Sequence, residues 1–341
     1  MTTSAGYSGC RYNPEHEALQ PPGKHESHND SAYFNFTPAD GAGVVGAVVR
    51  IGMRPGEGYS EASVVLPRDD GTVVFQYART PLDAESFPAG SPRWESGALA
   101  LAAVEPTRRW RISYCGGGAR LVSDPRAFAD RPGEVWRASP PVDCELELDW
   151  QADFPMHVLS AEGNLMPGSD EVAYGKNHYE QFGRIDGTLR FGDEEHPIAG
   201  APSFRDHSWG PRVWESAPDQ DFVTVYLDDG RRAVAVANRS GGRQDAHGVI
   251  WVPGAEEPVQ IERYEIRTDY AGGPSPGAAI GWSFEGEGQA IDVEGEVIGF
   301  MPLRVGKHPV RIAQTILRLG GESPGRAKTD LTRPIEESAQ R

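Results

Sequence analysis

The densest group of chemically able side chains lies in Phe204–Glu215, FRDHSWGPRVWE, which holds two Trp, one His, two Arg, one Asp and one Glu. The run leading into it, Ile198–Trp209, has strand character, and side chains along a strand alternate between faces. Arg205, His207 and Trp209 then share one face, and Asp206, Ser208 and Gly210 the other. His207 therefore points away from Ser208 and is poorly placed to activate it. The GxSxG elbow is missing too, because Asp206 stands where its first Gly belongs. A serine hydrolase is disfavoured.

A second stretch, Val223–Gly230 (VTVYLDDG), puts Thr224, Tyr226 and Asp228 on one face ahead of an Asp229-Gly230 turn. If the two strands are neighbours in one barrel, a His/Trp face and a Tyr/Asp face line the same cavity. A carboxylic acid in an apolar pocket has a raised pKa and stays protonated at neutral pH. Aromatic faces stabilise cations through their quadrupoles. Protonating an alkene and guiding the resulting carbocation needs both. Trp214, Arg205 and Tyr179 complete the candidate substrate-binding set. Each residue also has a plainer reading. His207 and Trp209 suit a core or a hydrogen-bonded corner, Asp228 suits a turn cap, and Asp206 suits an ion pair with Arg205 or Arg212. The polar run His178-Tyr179-Glu180-Gln181 either adds a base to the pocket or forms a strand edge.

The elements that must position these residues are short strands. Val44–Ile51, Ser60–Leu66, Thr72–Tyr77, Ala98–Val104, Trp110–Tyr114, Ala119–Val122 and Cys144–Trp150 read as strands in the first half. The second half continues in the same style from Arg184 to Leu319, although its last run, Val310–Leu319, also suits a helical period. Two Asp-Asp-Gly hairpins, Ser63–Phe75 and Thr224–Val236, echo each other. These features predict an all-β chain with few short helices: an N-terminal arm (1–30), a β-domain (31–166), a second β-domain (170–320) and a flexible tail (321–341). The 41 Gly and 28 Pro fall largely at turns, while 8 Trp, 11 Tyr and 12 Phe supply a core.

A net charge of −17 argues against nucleic acid and against anionic lipid as partners. Cys10, Cys115 and Cys144 form no CxxC pair, and an odd number argues against a disulfide framework. The first thirty residues lack a basic-then-apolar leader, and no apolar run nears the roughly 18 residues that span a bilayer. A soluble, cytoplasmic chain is expected. His25-x2-His28 with Glu26 has only slight metal-ligand character. Gly168 to Gly175-Lys176 has the wrong spacing for a P-loop, and no GxGxxG joins a strand to a helix. No cofactor or metal is expected, and the oligomeric state stays open.

RDHSWGPR, preceded by HYEQFGRIDGTLRF (His178–Phe191) and followed by YLDDGR, resembles the second domain of the hydroxyneurosporene synthase family. That family comprises the carotenoid 1,2-hydratases and their tandem lipocalin-like relatives, some of them natural-product cyclases and Diels–Alderases. NDSAYFNF (Asn29–Phe36) with VRIGMRPGEGYSEASV (Val49–Val64) is similar to the first domain of its bacterial members, so the resemblance spans roughly residues 25–320. It implies two tandem calyx-like, lipocalin-like antiparallel domains and a hydrophobic tunnel. It also implies that His207-x-Trp209 and Tyr226-x-Asp228 lie at the active site. Asp228 would then donate a proton to an alkene, His207 would tune it or position water, and Trp209 and Tyr226 would shield the cation. Asp206 and Glu215 are fallback acids. The expected activity is that of a cofactor-independent lyase or isomerase, a hydratase or cyclase acting on an isoprenoid- or polyketide-like substrate. The alternatives are a non-catalytic carrier of a hydrophobic small molecule and a pericyclase.

Overall fold

The computed structural model describes residues 14–116, 118–160, 177–213, 219–240, 243–268, 278–304 and 310–334. After a 3-10 turn at Pro14–Glu17 come β1 (His28–Phe36), β2 (Ala47–Arg54), β3 (Tyr59–Pro67), β4 (Val73–Pro81), β5 (Arg93–Ser96) and β6 (Leu99–Glu105). Next are β7 (Arg109–Gly116), β8 (Arg120–Val122), helices α1 (Pro125–Asp130) and α2 (Pro132–Ala138), β9 (Cys144–Ala152), β10 (His157–Ser160), β11 (Asn177–Phe191) and β12 (Glu194–Pro211). These twelve strands form one curled antiparallel sheet in the order β5-β6-β7-β9-β11-β12-β1-β2-β3-β4-β8, with β10 paired to β11.

The second sheet contains β13 (Asp219–Leu227), β14 (Arg232–Ser240), β15 (Arg243–Trp251), β16 (Val259–Gln260) and β17 (Arg263–Thr268). β18 (Ala279–Gly286), β19 (Gln289–Arg304), β20 (Val310–Leu319) and β21 (Gly325–Pro334) complete it. Its order is β16-β15-β14-β13-β21-β20-β19-β18-β17. The chain divides into two compact units: Met1–Leu66, Val74–Leu121 and Pro140–Ser216 form one, and Pro67–Val73, Val122–Ser139 and Ala217–Arg341 the other.

Strand period explains which faces close. In β9, Cys144, Leu146, Leu148 and Trp150 are buried, while the charged residues between them are half-buried or exposed. They join Phe34, Trp94, Trp110 and Ile112 in the core of the first sheet. Trp282, Phe284, Ile291 and Val293 anchor the second core. β1 differs, being buried along its whole length on both faces. Its second face carries Asn29, Ser31, Tyr33 and Asn35, an unusual set to remove from water.

Two expectations change, and the helical alternative for a third segment falls away. Strands β11 and β12, expected to open the second domain, pair with β9 and β1 in the first sheet. The division expected at 166–170 lies outside the described residues. Their long apolar ladder, with Ile185, Leu189, Ile198 and Ala201 in the first core, outweighs the composition break before them. The 321–341 tail contains β21, which sits between β13 and β20. Ala327 and Leu331 feed the second core, and Lys328, fully buried, is ion-paired to Asp330. Its charges read as a solvated end but are paired within the fold. Val310–Leu319 is a strand, paired on both sides by β19 and β21.

Candidate functional site

β12 lies between β1 and β11, so from Ser203 to Trp209 each of its side chains has registered neighbours on both sides. The alternation expected from sequence is present, and the two faces are chemically unlike. On the core face Arg205 is 2% exposed, and its Nη2 donates to both Glu17 oxygens at 3.0 Å and to Gln181 Oε1 at 2.7 Å. Its guanidinium stacks near Trp110 and Trp150, 5.2 and 5.0 Å from their centroids. Glu17 also accepts from Thr107 N and Trp110 Nε1, both at 3.1 Å. Burial pushes its pKa up, but the Arg205 charge and these hydrogen bonds outweigh that and hold it below the usual carboxylate range. Two positions on, His207 Nε2 meets Asp30 Oδ1 at 2.7 Å with neither side chain exposed, and Asp30 Oδ2 accepts from Gln20 N at 2.6 Å.

Trp209, partly exposed, closes this row. Its ring lies 4.8 Å from His207, 5.4 Å from Tyr179 and 5.3 Å from His16. The Tyr179 hydroxyl is hydrogen-bonded to His16 Nδ1. Burial, then the nearby His207, lowers the His16 pKa. On this face each buried acid faces a cation or imidazole. Such pairing is what a core needs to bury charge, and it leaves little acid–base capacity free.

The opposite face holds Asp206, directly across from Glu180 on β11. Glu180 is 1% exposed, and neither of its carboxyl oxygens has a hydrogen-bond partner among the described residues. Burial, reinforced by the Asp206 charge, raises its pKa well above the usual carboxylate range. His178 Nε2 lies 3.8 Å from Glu180 Oε1 and 3.7 Å from Asp206 Oδ1, too far for a hydrogen bond. The side chains of His178 and Asp206 keep 13% and 16% exposure, so the cluster is not sealed. The next row of the same face is aromatic. Phe182 and Phe204 are buried edge-to-face with centroids 5.1 Å apart. A buried carboxyl of raised pKa, a second carboxyl and two aromatic rings are thus assembled on two adjacent strands. The flanking pairs explain why Asp206 is held so firmly: Arg205 and His207, either side of it, are both locked into the core.

The sequence-derived candidates fall in different places. Arg205, His207, Trp209 and Tyr179 come together on the core face, and Asp206 lies opposite. Asp206 pairs with neither expected arginine, since Arg205 turns to Glu17 and Gln181 and Arg212 donates to Ser208 Oγ. Tyr226 is 2% exposed, on the second sheet. Asp228, expected to be the buried proton donor, is exposed in the β13–β14 turn, where its N–H donates to Pro324 O. The turn explains it: β13 ends at Leu227, Gly230 takes φ +91°, and Asp229 Oδ1 accepts from Arg231 N. Asp70 and Gly71 build the same turn between β3 and β4. Trp214 and Glu215 lie outside the described residues. His25 is bonded to Ser27, and His28 Nδ1 accepts from Gly23 N. Sequence reasoning placed Glu180 only as a base or an edge residue. The signal available was its position two residues before Phe182 on a strand whose partner carries Asp206.

The two curled antiparallel sheets are those of a tandem lipocalin-like all-β protein. Over residues 13–329 the chain matches the model of a family described as a domain of unknown function (DUF7064), and it belongs to that family. No curated protein matches it in sequence. Its fold is similar to that of a putative AttH from Nitrosomonas europaea, at 12% identity over 97% of this chain and 99% of that one, TM-score 0.62. It is also similar to kievitone hydratase from Nectria haematococca, at 10% identity over 98% and 96%, TM-score 0.54. CghA with Sch210972 is similar at 14% identity over 91% and 89%, TM-score 0.52. Identities this low speak for the fold alone. No helix among the described residues is long and apolar enough to cross a membrane.

Proposed function

We propose that this chain is a cofactor-independent lyase or isomerase that starts its reaction by protonating an alkene of an isoprenoid- or polyketide-like substrate. The observation carrying this reading is Glu180, a buried carboxyl whose two oxygens have no hydrogen-bond partner among the described residues, set against Asp206 and beside Phe182 and Phe204. Two carboxyls this close cannot both ionise cheaply, and burial puts the shared penalty on Glu180, which favours its protonated form. Glu180 O–H transfers its proton to an alkene carbon, and the π electrons form the new C–H bond. The cation left on the neighbouring carbon is faced by the Phe182 and Phe204 rings and by the Asp206 carboxylate. Water attack followed by proton loss to the carboxyl pair gives hydration. Attack by an internal double bond gives cyclisation, and loss of a neighbouring proton gives isomerisation. That one structure of like fold is named a hydratase supports the first outcome. His207 and Trp209 act in this reading as the anchor of β12.

The test is solvent-proton incorporation. Full-length protein is incubated in D2O with a panel of acyclic terpenoids and prenylated phenols, and recovered material is analysed by mass spectrometry. An enzyme of this class places deuterium on carbon and loses that ability in Glu180→Gln. Binding without deuterium entering carbon assigns the chain to the carriers or pericyclases instead.

A further inference from the structure

A cavity of about 580 Å³ lies beside the β6–β7 turn of the first sheet, among that turn, the end of β9 and the segment 153–156 that leads to β10. Its volume is in the range of roughly 300–1,000 Å³ usual for small-molecule sites. Half-buried Phe154 and Met156, with Ala152, give it an apolar wall, and Thr107, Arg109 and Gln181 also line it. Buried side chains hold its shape. Gln181 Nε2 donates to Thr107 O and to Phe154 O, both at 2.9 Å, which ties the two sides together. Gln181 Oε1 accepts from Arg205, and Glu17, also bound to Arg205, accepts from Thr107 N at 3.1 Å. Thr107 needs those restraints. It follows Pro106 in a turn closed by Arg108 N donating to Glu105 O at 2.9 Å, and its φ of +64° is a left-handed value that glycine usually supplies there. A β-branched residue kept in that conformation is strained, and such strain gathers at ligand-binding sites.

The charges around the cavity do not cancel. Asp153 is paired to Arg184, whose Nη2 also donates to Gln151 Oε1 at 2.7 Å, and Glu105 lies 3.6 Å from Arg108. Arg109, exposed and registered opposite Gln151, makes no hydrogen bond or ion pair among the described residues. In a chain of net charge −17, one uncompensated guanidinium beside an apolar wall selects an anion with an apolar body. The guanidinium fork matches a carboxylate, and the Glu105 and Asp153 carboxylates on the same rim disfavour a dianion such as a phosphate monoester. We propose that this cavity binds an apolar carboxylic acid as its anion, with the carboxylate on Arg109 and the apolar part against Phe154 and Met156. The site is separate from the acid chemistry above. Gln181 and Glu180 are adjacent in β11 and face opposite sides of the strand.

Calorimetric titration of the full-length protein with octanoate and with octan-1-ol tests this. At low ionic strength octanoate is expected to bind about tenfold tighter than the alcohol, the lower end of what a charge-assisted hydrogen bond contributes. The preference should shrink as salt is added, because Arg109 is exposed. Arg109→Gln should bring octanoate to within about threefold of octan-1-ol, leave the alcohol's affinity unchanged and keep the wild-type melting temperature. Met156→Glu, which sets a negative charge against the apolar wall, should abolish octanoate binding and weaken that of the alcohol. Glu180→Gln should change neither affinity, so loss of the acid chemistry and loss of this site are told apart. Equal affinities for the two probes, no binding of octanoate, or a preference for octanoate that survives Arg109→Gln would overturn the proposal.

Discussion

Asp30→Ala removes the carboxylate that His207 Nε2 meets at 2.7 Å in a place where neither side chain touches water. The same carboxylate accepts the Gln20 N–H at 2.6 Å, so the variant strands a buried imidazole and a backbone donor together. Removing one partner of a buried pair costs about 3–5 kcal/mol. Loss of the Gln20 acceptor brings the sum toward about 5 kcal/mol, since the two effects overlap. Each kcal/mol lowers the melting temperature of a domain this size by about 2–4 °C, so a fall of about 10–20 °C is expected. Thermal melts of Asp30→Ala, His207→Ala and the double variant close a cycle in which the coupling should exceed about 2 kcal/mol. An anchor carries no proton in the reaction, so the pH profile of turnover should keep its shape in His207→Gln. A coupling near zero, or loss of one limb of that profile, would refute the anchoring role.

Glu180→Gln should stabilise the protein at neutral pH as well as abolish turnover. A carboxyl with a raised folded pKa binds its proton more tightly folded than unfolded. Wild-type stability should therefore fall with rising pH above the ordinary carboxylate value, by at most about 1.4 kcal/mol per unit, until the raised folded pKa is passed. Denaturant titrations of both proteins over neutral pH would show the slope in wild type and not in the variant. Glu17 has the opposite sign. Its folded pKa is lowered, so its contribution is present above the ordinary carboxylate value and lost as pH falls through the lowered one. Glu17→Gln should lose stability at neutral pH and converge on wild type in acid, as acid-unfolding curves would reveal. Gly183→Ala would bring a Cβ to 2.2 Å from Gln151 O and 2.6 Å from the Trp150 ring, and should cost about 1–3 kcal/mol in thermal melts.

The all-β class and the hairpins were legible in the sequence because they are local. Alternation in CELELDW and the Asp-Gly turns depend on neighbours a few residues away, and both are present. The split of RDHSW into two faces was legible for the same reason. Partnership was not. Nothing near Asp206 announces that its core-side neighbours would find Glu17 and Asp30, 188 and 177 residues distant in the chain. Asp228 attracted the acid role because Tyr-x-Asp resembles a known motif, yet the Asp-Gly beside it already dictated a turn that sends it to solvent. Lys328 and Asp330 were lost in a charged tail because charge reads as exposure until the pairing is seen.

The protonation of Glu180 is the claim on which the chemistry rests. Infrared difference spectra of wild type against Glu180→Gln, recorded in D2O buffers across neutral pH, report it directly. A protonated-carboxyl C=O stretch present in wild type and absent in the variant is the expected result. Carboxylate bands alone at neutral pH would contradict it, and the acid-initiated mechanism would fall with it.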